Sequence, residues 1–128
     1  MKHILFLLVT LFMSQTVMAG AVDDALAEYA GGKLKFDAKR GETLWNKTHT
    51  GKDGDRRCTS CHNKDNKQAG KHAKSGKSIE PMAPSVNSKR YTDLKKINKW
   101  FKRNCKWTVG RECTDQEKGD ILTYLSTQ

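Results

Sequence analysis

Cys58-Thr59-Ser60-Cys61-His62 sets two thiols three positions apart with an imidazole directly behind them. Thiols so spaced can add to the two vinyl groups of a haem while the imidazole reaches the iron from the same face, and C-x-x-C-H is the signature of c-type haem attachment. Two rival chemistries use the same cysteines. A thioredoxin-like redox pair opens a helix in a βαβ setting, and no strand pattern flanks this pair. A zinc site would need Cys105 and Cys113 as a second pair, but seven intervening residues make a poor knuckle and an exported chain disfavours it. The expected site is therefore one covalently attached haem c, with Cys58 and Cys61 as the thioether residues and His62 as the proximal iron ligand.

Four side chains compete for the sixth position: Met82, Asn104, His72 and His49. Methionine is the usual partner of histidine in electron-transfer cytochromes c. Met82, however, follows the attachment loop and precedes the middle helix. That segment usually lies on the proximal side, where the carbonyl of Pro81 or Pro84 could receive the His62 Nδ1–H. Asn104 comes later, at the end of an apolar stripe of Leu94, Ile97 and Phe101 spaced for one helix face. An amide there needs a partner; iron is one reading and a helix C-cap is the other. Cys105 can close with Cys113 around a short loop, contributing roughly 2.6 kcal/mol in the chain-entropy account, or both can remain thiols.

The elements that carry these residues read as short helices joined by long loops. Lys2 and His3 followed by the apolar run Ile4 to Met13, with small residues around Ala19 and Ala21, form the pattern of a cleaved export signal over residues 1–20. The mature domain is expected over 21–128, in the periplasm, cut near Ala19 or Ala21. Asp23 is expected to cap a helix to about Ala30, and Asp37 a second helix bearing Leu44 and Trp45. Residues 48–55 and 63–78 read as polar loops. Thr92 is expected to open a helix to about Asn104, and Thr114-Asp115-Gln116-Glu117 is a capping box for the last helix. The fold class is all-α.

With 128 residues, the chain has room for one domain, and only 36% of it is hydrophobic. A core this poor needs a cofactor to fill it. No apolar run is long enough to span a bilayer. The formal net charge of +10 steers the protein toward an acidic redox partner. Arg56, Arg57 and the lysines of 63–78 are candidates for that face. Those lysines have no interleaved aromatics, so nucleic acid is not an expected partner. No acid–base constellation stands beside the motif, so turnover is expected only as a consequence of an open iron.

From Cys58 to the C-terminus the sequence resembles the sphaeroides haem protein family of oxygen-binding monohaem cytochromes c. The matching pieces are Cys58 to His62, Gly76 to Asn87, Trp100-Phe101-Lys102-Arg103-Asn104-Cys105, Gly110 to Thr114 and Glu117 to Asp120. The resemblance implies the class I cytochrome c fold, His62 and Asn104 as iron ligands, a Cys105–Cys113 disulfide and a dihaem cytochrome c as electron donor. Since a neutral amide oxygen is a hard, weak donor that suits ferric iron better than ferrous, Asn104 is expected to leave on reduction and open the iron to O2, NO or CO. Met82 stands where a Leu is expected in relatives. The alternative is a closed electron carrier ligated by His62 and Met82.

Overall fold

In the computed structural model, residues 20–128 are described. The export signal expected over 1–20 lies outside them except for Gly20. Helix α1 spans Ala21–Ala30 and α2 spans Ala38–Asn46. Two antiparallel hairpins follow: β1 (His49–Gly51) with β2 (Gly54–Arg56), and β3 (Gly70–Lys71) with β4 (Ser78–Ile79). A single 3-10 turn at Cys58–Ser60 separates them, and helices α3 (Leu94–Thr108) and α4 (Asp115–Ser126) complete the chain.

Local chemistry explains most boundaries. The Asp37 carboxylate accepts the Arg40 N–H at 2.8 Å, and Asp93 accepts that of Lys96 at 3.0 Å. Thr114 and Glu117 close a reciprocal capping box on α4. Asp23 does not cap α1: Gly20 does, which leaves Asp23 and Asp24 in the first turn, where carboxylates favour the helix dipole. The middle helix starts two residues later than expected, at Leu94, and runs a turn further, to Thr108. Asn104 is therefore an interior helical residue and not a C-cap. The segments read as polar loops contain the two hairpins because strands of two or three residues are too short to show alternation.

Helix α4 is central. One apolar cluster joins Ala25, Tyr29, Ile97 and Leu122; a second joins Trp45, Ile121 and Leu125. Phe101 and Tyr91 touch both. Full burial of a side chain such as Leu122 contributes about 1.5–3 kcal/mol. Helices α2 and α4 approach so closely that a Cβ on Gly41 would meet the Asp120 carbonyl oxygen at 2.0 Å. Asp120 is buried and accepts from the Asp37 N–H at 2.7 Å, Arg40 Nε and Nη2 at 2.9 Å each, and Gln116 Nε2 at 3.1 Å. Burial alone would raise its pKa; these donors outweigh it and hold the carboxyl below its ordinary value.

Candidate haem-attachment site

The attachment motif is wound tightly. Ser60 N–H donates to Arg57 O at 3.0 Å, Cys61 N–H to Cys58 O at 3.3 Å and His62 N–H to Cys58 O at 3.1 Å. Cys58 opens this 3-10 turn and Cys61 is its C-cap, so the two thiols stand at its two ends. They remain thiols and are not bonded to each other. Cys58 packs against the Trp45–Ile121–Leu125 cluster, and burial pushes its thiol up to about 11. A redox-active C-x-x-C does the opposite, holding a low-pKa thiolate.

His62 lies against Trp45, with ring centroids 5.1 Å apart and planes tilted by 32°. Its Nδ1 is buried and takes no hydrogen bond. Burial, with the Arg90 charge adding to it, lowers its pKa to about 4. The imidazole is therefore neutral at physiological pH, the form that ligates a metal. The β3–β4 hairpin clasps the other end of the motif. Lys71 N–H donates to Cys61 O at 2.7 Å, and Ala73 N–H to Cys61 Sγ at 3.3 Å. Any Cβ at Gly70 would stand 2.2 Å from the Cys61 carbonyl oxygen.

The segment bearing Met82 is tied down beside His62. Met82 and Ala83 both donate their N–H to Asn66 O at 2.9 Å, and the Tyr91 hydroxyl donates to Met82 O at 2.9 Å. Tyr91 itself takes a left-handed backbone, φ 57°. Arg90 Nε donates to Pro81 O at 2.8 Å and its Nη2 to Glu80 O at 2.5 Å; Asn87 Nδ2 adds a bond to Pro81 O at 3.3 Å. The Pro81 carbonyl is thus engaged by Arg90 and Asn87 and not by His62. Met82 packs on the Trp45 cluster, the same cluster whose indole lies against His62.

Asn104 is exposed on α3. One turn before it, Phe101 packs against the cluster that also holds Cys58. One turn after it, Trp107 is held by the attachment segment: Arg56 Nη1 donates to Trp107 O at 2.8 Å, and the guanidinium lies 4.7 Å over the indole. Next to Asn104, buried Cys105 is bonded to Cys113, Cα to Cα 5.6 Å. That bond uses up the second cysteine pair a zinc site would need. Among the described residues no three His, Cys, Asp or Glu side chains are grouped to hold a metal ion.

The other two candidate ligands stand apart from this grouping. His72 is exposed in the β3–β4 hairpin, its Nδ1 accepting from the Lys74 and Ser75 N–H groups at 3.3 and 3.1 Å. His49 is on β1, where burial and Lys47 lower its pKa, with Glu117 and Arg111 of the α4 start also acting on it. Sequence reasoning placed Trp45 on a helix face but gave no sign that it meets His62. Arg90 and Gly70 carried no signal, since their roles depend on contacts with residues distant in sequence.

The residues present fit a c-type haem. Two unpaired thiols stand at the ends of one tight turn, and the adjoining imidazole is neutral with one nitrogen unpartnered. Comparison with known proteins points the same way. Residues 31–125 match the family described as Domain of unknown function (DUF1924). Over 127 residues the chain is 39% identical to the cytochrome c-type protein SHP of Cereibacter sphaeroides, covering 96% of this chain and 98% of that protein. The solved structure of oxidized SHP, described as an oxygen binding cytochrome c, aligns at TM-score 0.77 with 37% identity, covering 85% of this chain and 98% of that one. Cytochrome c'' of Methylophilus methylotrophus is 37% identical over 97 residues, covering 76% of this chain and 62% of that protein. Its solution structure, described for its insight into haem-ligand detachment, aligns at TM-score 0.72 and 28% identity over 84% of this chain and 93% of that one.

Proposed function

We infer the function from the premise that this chain belongs to the sphaeroides haem protein family, class I monohaem cytochromes with one covalently bound haem c. We propose that it is an exported cytochrome that takes an electron from an acidic redox partner, of which a dihaem cytochrome c is the family's example. In its ferrous state it then binds O2, NO or CO. The domain is residues 21–128, released from its signal near Ala19 or Ala21 into the periplasm. No helix among the described residues is long and apolar enough to cross a membrane.

Haem c, when bound, would supply a redox-active iron. Cys58 and Cys61 carry the thioether bonds, and His62 gives the proximal nitrogen. Trp45 holds the His62 ring, and Arg90 fixes the Glu80–Pro81 carbonyls beside it. Asn104 is the distal ligand. Its neutral amide oxygen would be a hard, weak donor, better suited to ferric than to ferrous iron, and so would be displaceable on reduction. The freed amide N–H can then donate a hydrogen bond to whatever enters.

The carrying observation is the double tether around Asn104: Phe101 packs in the cluster that holds Cys58, and Trp107 is held by Arg56. One helical neighbour of Asn104 thus shares a cluster with Cys58, and the other is held by Arg56. Met82 packs on the same cluster, and its place in the chain, after the attachment turn and before α3, supports a proximal position for it. O2 binding by SHP and ligand detachment in cytochrome c'' support an iron position that opens. The test is the optical spectrum of the haem-loaded protein, reduced with dithionite, before and after CO. A high-spin ferrous spectrum that shifts with CO is expected. A low-spin spectrum indifferent to CO would return the sixth position to Met82 and make the protein a closed electron carrier.

A further inference from the structure

Helix α3 carries Lys95, Lys96, Lys99, Lys102, Arg103 and Lys106 and no carboxylate. At 100° per residue these cations share the side opposite Ile97 and Cys105, the buried side, and all six are exposed. The arrangement works against the helix. Lys95–Lys99, Lys99–Arg103 and Lys102–Lys106 are like-charge pairs at i,i+4, each destabilising by a few tenths of a kcal/mol. Lys95 and Lys96 also sit in the first turn, where cations oppose the dipole. Only Lys106 is paired, to Glu112 at 3.1 Å, and Lys102 faces a cleft shared with Glu28 and Glu112. That leaves Lys95, Lys96, Lys99 and Arg103 in no ion pair among the described residues.

Trp100 stands among these four along the helix, at the edge of their face nearest Asn104. Lys99 Nζ stands 5.9 Å from its ring and the Arg103 guanidinium 5.2 Å. These cation–π contacts hold two long side chains near fixed positions, so less entropy is lost when they meet carboxylates. Trp100 is also one turn from Asn104, so the patch continues onto the flank of α3 that bears the proposed ligand.

We propose that the outward face of α3, Lys95, Lys96, Lys99 and Arg103 around Trp100, docks the carboxylate-rich surface of the electron-donating protein. The inference rests on the reading that this cytochrome receives an electron: the donor loses one and the ferric haem gains it. At about 1.5 Å per residue the helix offers some 20 Å of length, enough for a small protein–protein contact. A membrane fits less well, because the apolar face of α3 points into the core. Single-stranded nucleic acid also fits less well, since the cations over Trp100 compete with a base for its face.

The test compares haem-loaded protein with two triple variants, Lys95→Gln/Lys96→Gln/Lys99→Gln and, on the hairpin side, Lys64→Gln/Lys67→Gln/Lys74→Gln. Reduction by flavodoxin hydroquinone, an acidic one-electron donor, is followed by stopped flow across ionic strengths, with the reduction potential measured for each protein. The α3 variant should be about tenfold slower at low salt and lose most of its salt dependence, with its potential unchanged. The hairpin variant should change little. Equal loss in both variants, loss only in the hairpin variant, or no loss in either would overturn the proposal. So would sedimentation with phosphatidylserine vesicles that the α3 variant abolishes while its flavodoxin rate stays intact. The readout does not depend on Asn104: a low-spin, CO-indifferent haem with an intact salt effect would refute gas binding and leave the docking face standing.

Discussion

Arg56 holds Trp107 twice, by a hydrogen bond from Nη1 to the carbonyl oxygen at 2.8 Å and by its guanidinium 4.7 Å over the indole. Arg56 lies two residues before Cys58, and Trp107 one helical turn beyond Asn104. The end of α3 and the start of the attachment motif are thereby fastened to each other.

Removing that fastening should be felt on both sides. Arg56→Ala loses a charge-assisted hydrogen bond and a cation–π contact, together about 2–3 kcal/mol of stability. Guanidinium unfolding of the haem-loaded protein reads the loss. Hydrogen exchange should speed up most at the amides of Cys105 to Thr108, the turn that Arg56 holds. Unchanged exchange there would show that the disulfide alone fixes the helix end.

Asn104→Met should give a low-spin spectrum and make the ferrous state indifferent to CO, because a thioether favours the reduced ion. Optical and electron paramagnetic resonance spectra decide it; a six-coordinate Asn104→Ala would point to Met82.

Much of this was legible in the residues. C-x-x-C-H names its chemistry because covalent attachment needs both thiols and the imidazole within five consecutive positions. Asp37 and Thr114 could be read as caps because a cap is a local bond, made within three residues. What could not be read was long-range. Nothing near His62 in sequence announces Trp45, and nothing near Pro81 announces that Arg90 takes its carbonyl. The α3 boundary was misread for a related reason: Asn104 resembles a C-cap, but Cys105 and Thr108 are buried and carry the helix on. The hairpins escaped because pairs as short as Gly70–Ile79 and Lys71–Ser78 leave no periodic trace.

Gly70 matters for how closely the hairpin can approach the motif. A Cβ there would stand 2.2 Å from the Cys61 carbonyl oxygen and 2.9 Å from His62 Cα, both backbone atoms that cannot turn aside. Gly70→Ala must therefore lift β3 and weaken the Lys71 N–H bond to Cys61 O. The expected cost is about 1–3 kcal/mol, with a lower yield of covalently attached haem, read from the pyridine haemochrome spectrum of purified protein. Gly41→Ala is the matched control. A Cβ there is nearest to Asp120 and Tyr124, 2.0 Å from the Asp120 carbonyl oxygen, and should destabilise the α2–α4 crossing.

Acid should weaken the fold through Glu117. Arg111 donates to both of its carboxylate oxygens at 2.8 Å and Thr114 N–H to one at 2.9 Å. The Arg111 bonds, against some burial and with help from Thr114, hold its pKa at about 2 instead of the ordinary 4.5. The unfolded chain thus binds this proton more readily than the native one, and stability rises with pH across that interval. The contribution is fully present above about 4.5, declines as the pH falls, and is gone below about 2. Other carboxyls held low, Glu112 and Asp120, share part of the window, so the diagnostic quantity is a difference. Glu117→Gln should be less stable than the parent at neutral pH and converge with it as the pH approaches 2. A constant gap from pH 7 to pH 2, measured by denaturant unfolding, would mean that the carboxylate acts through packing and not through its charge.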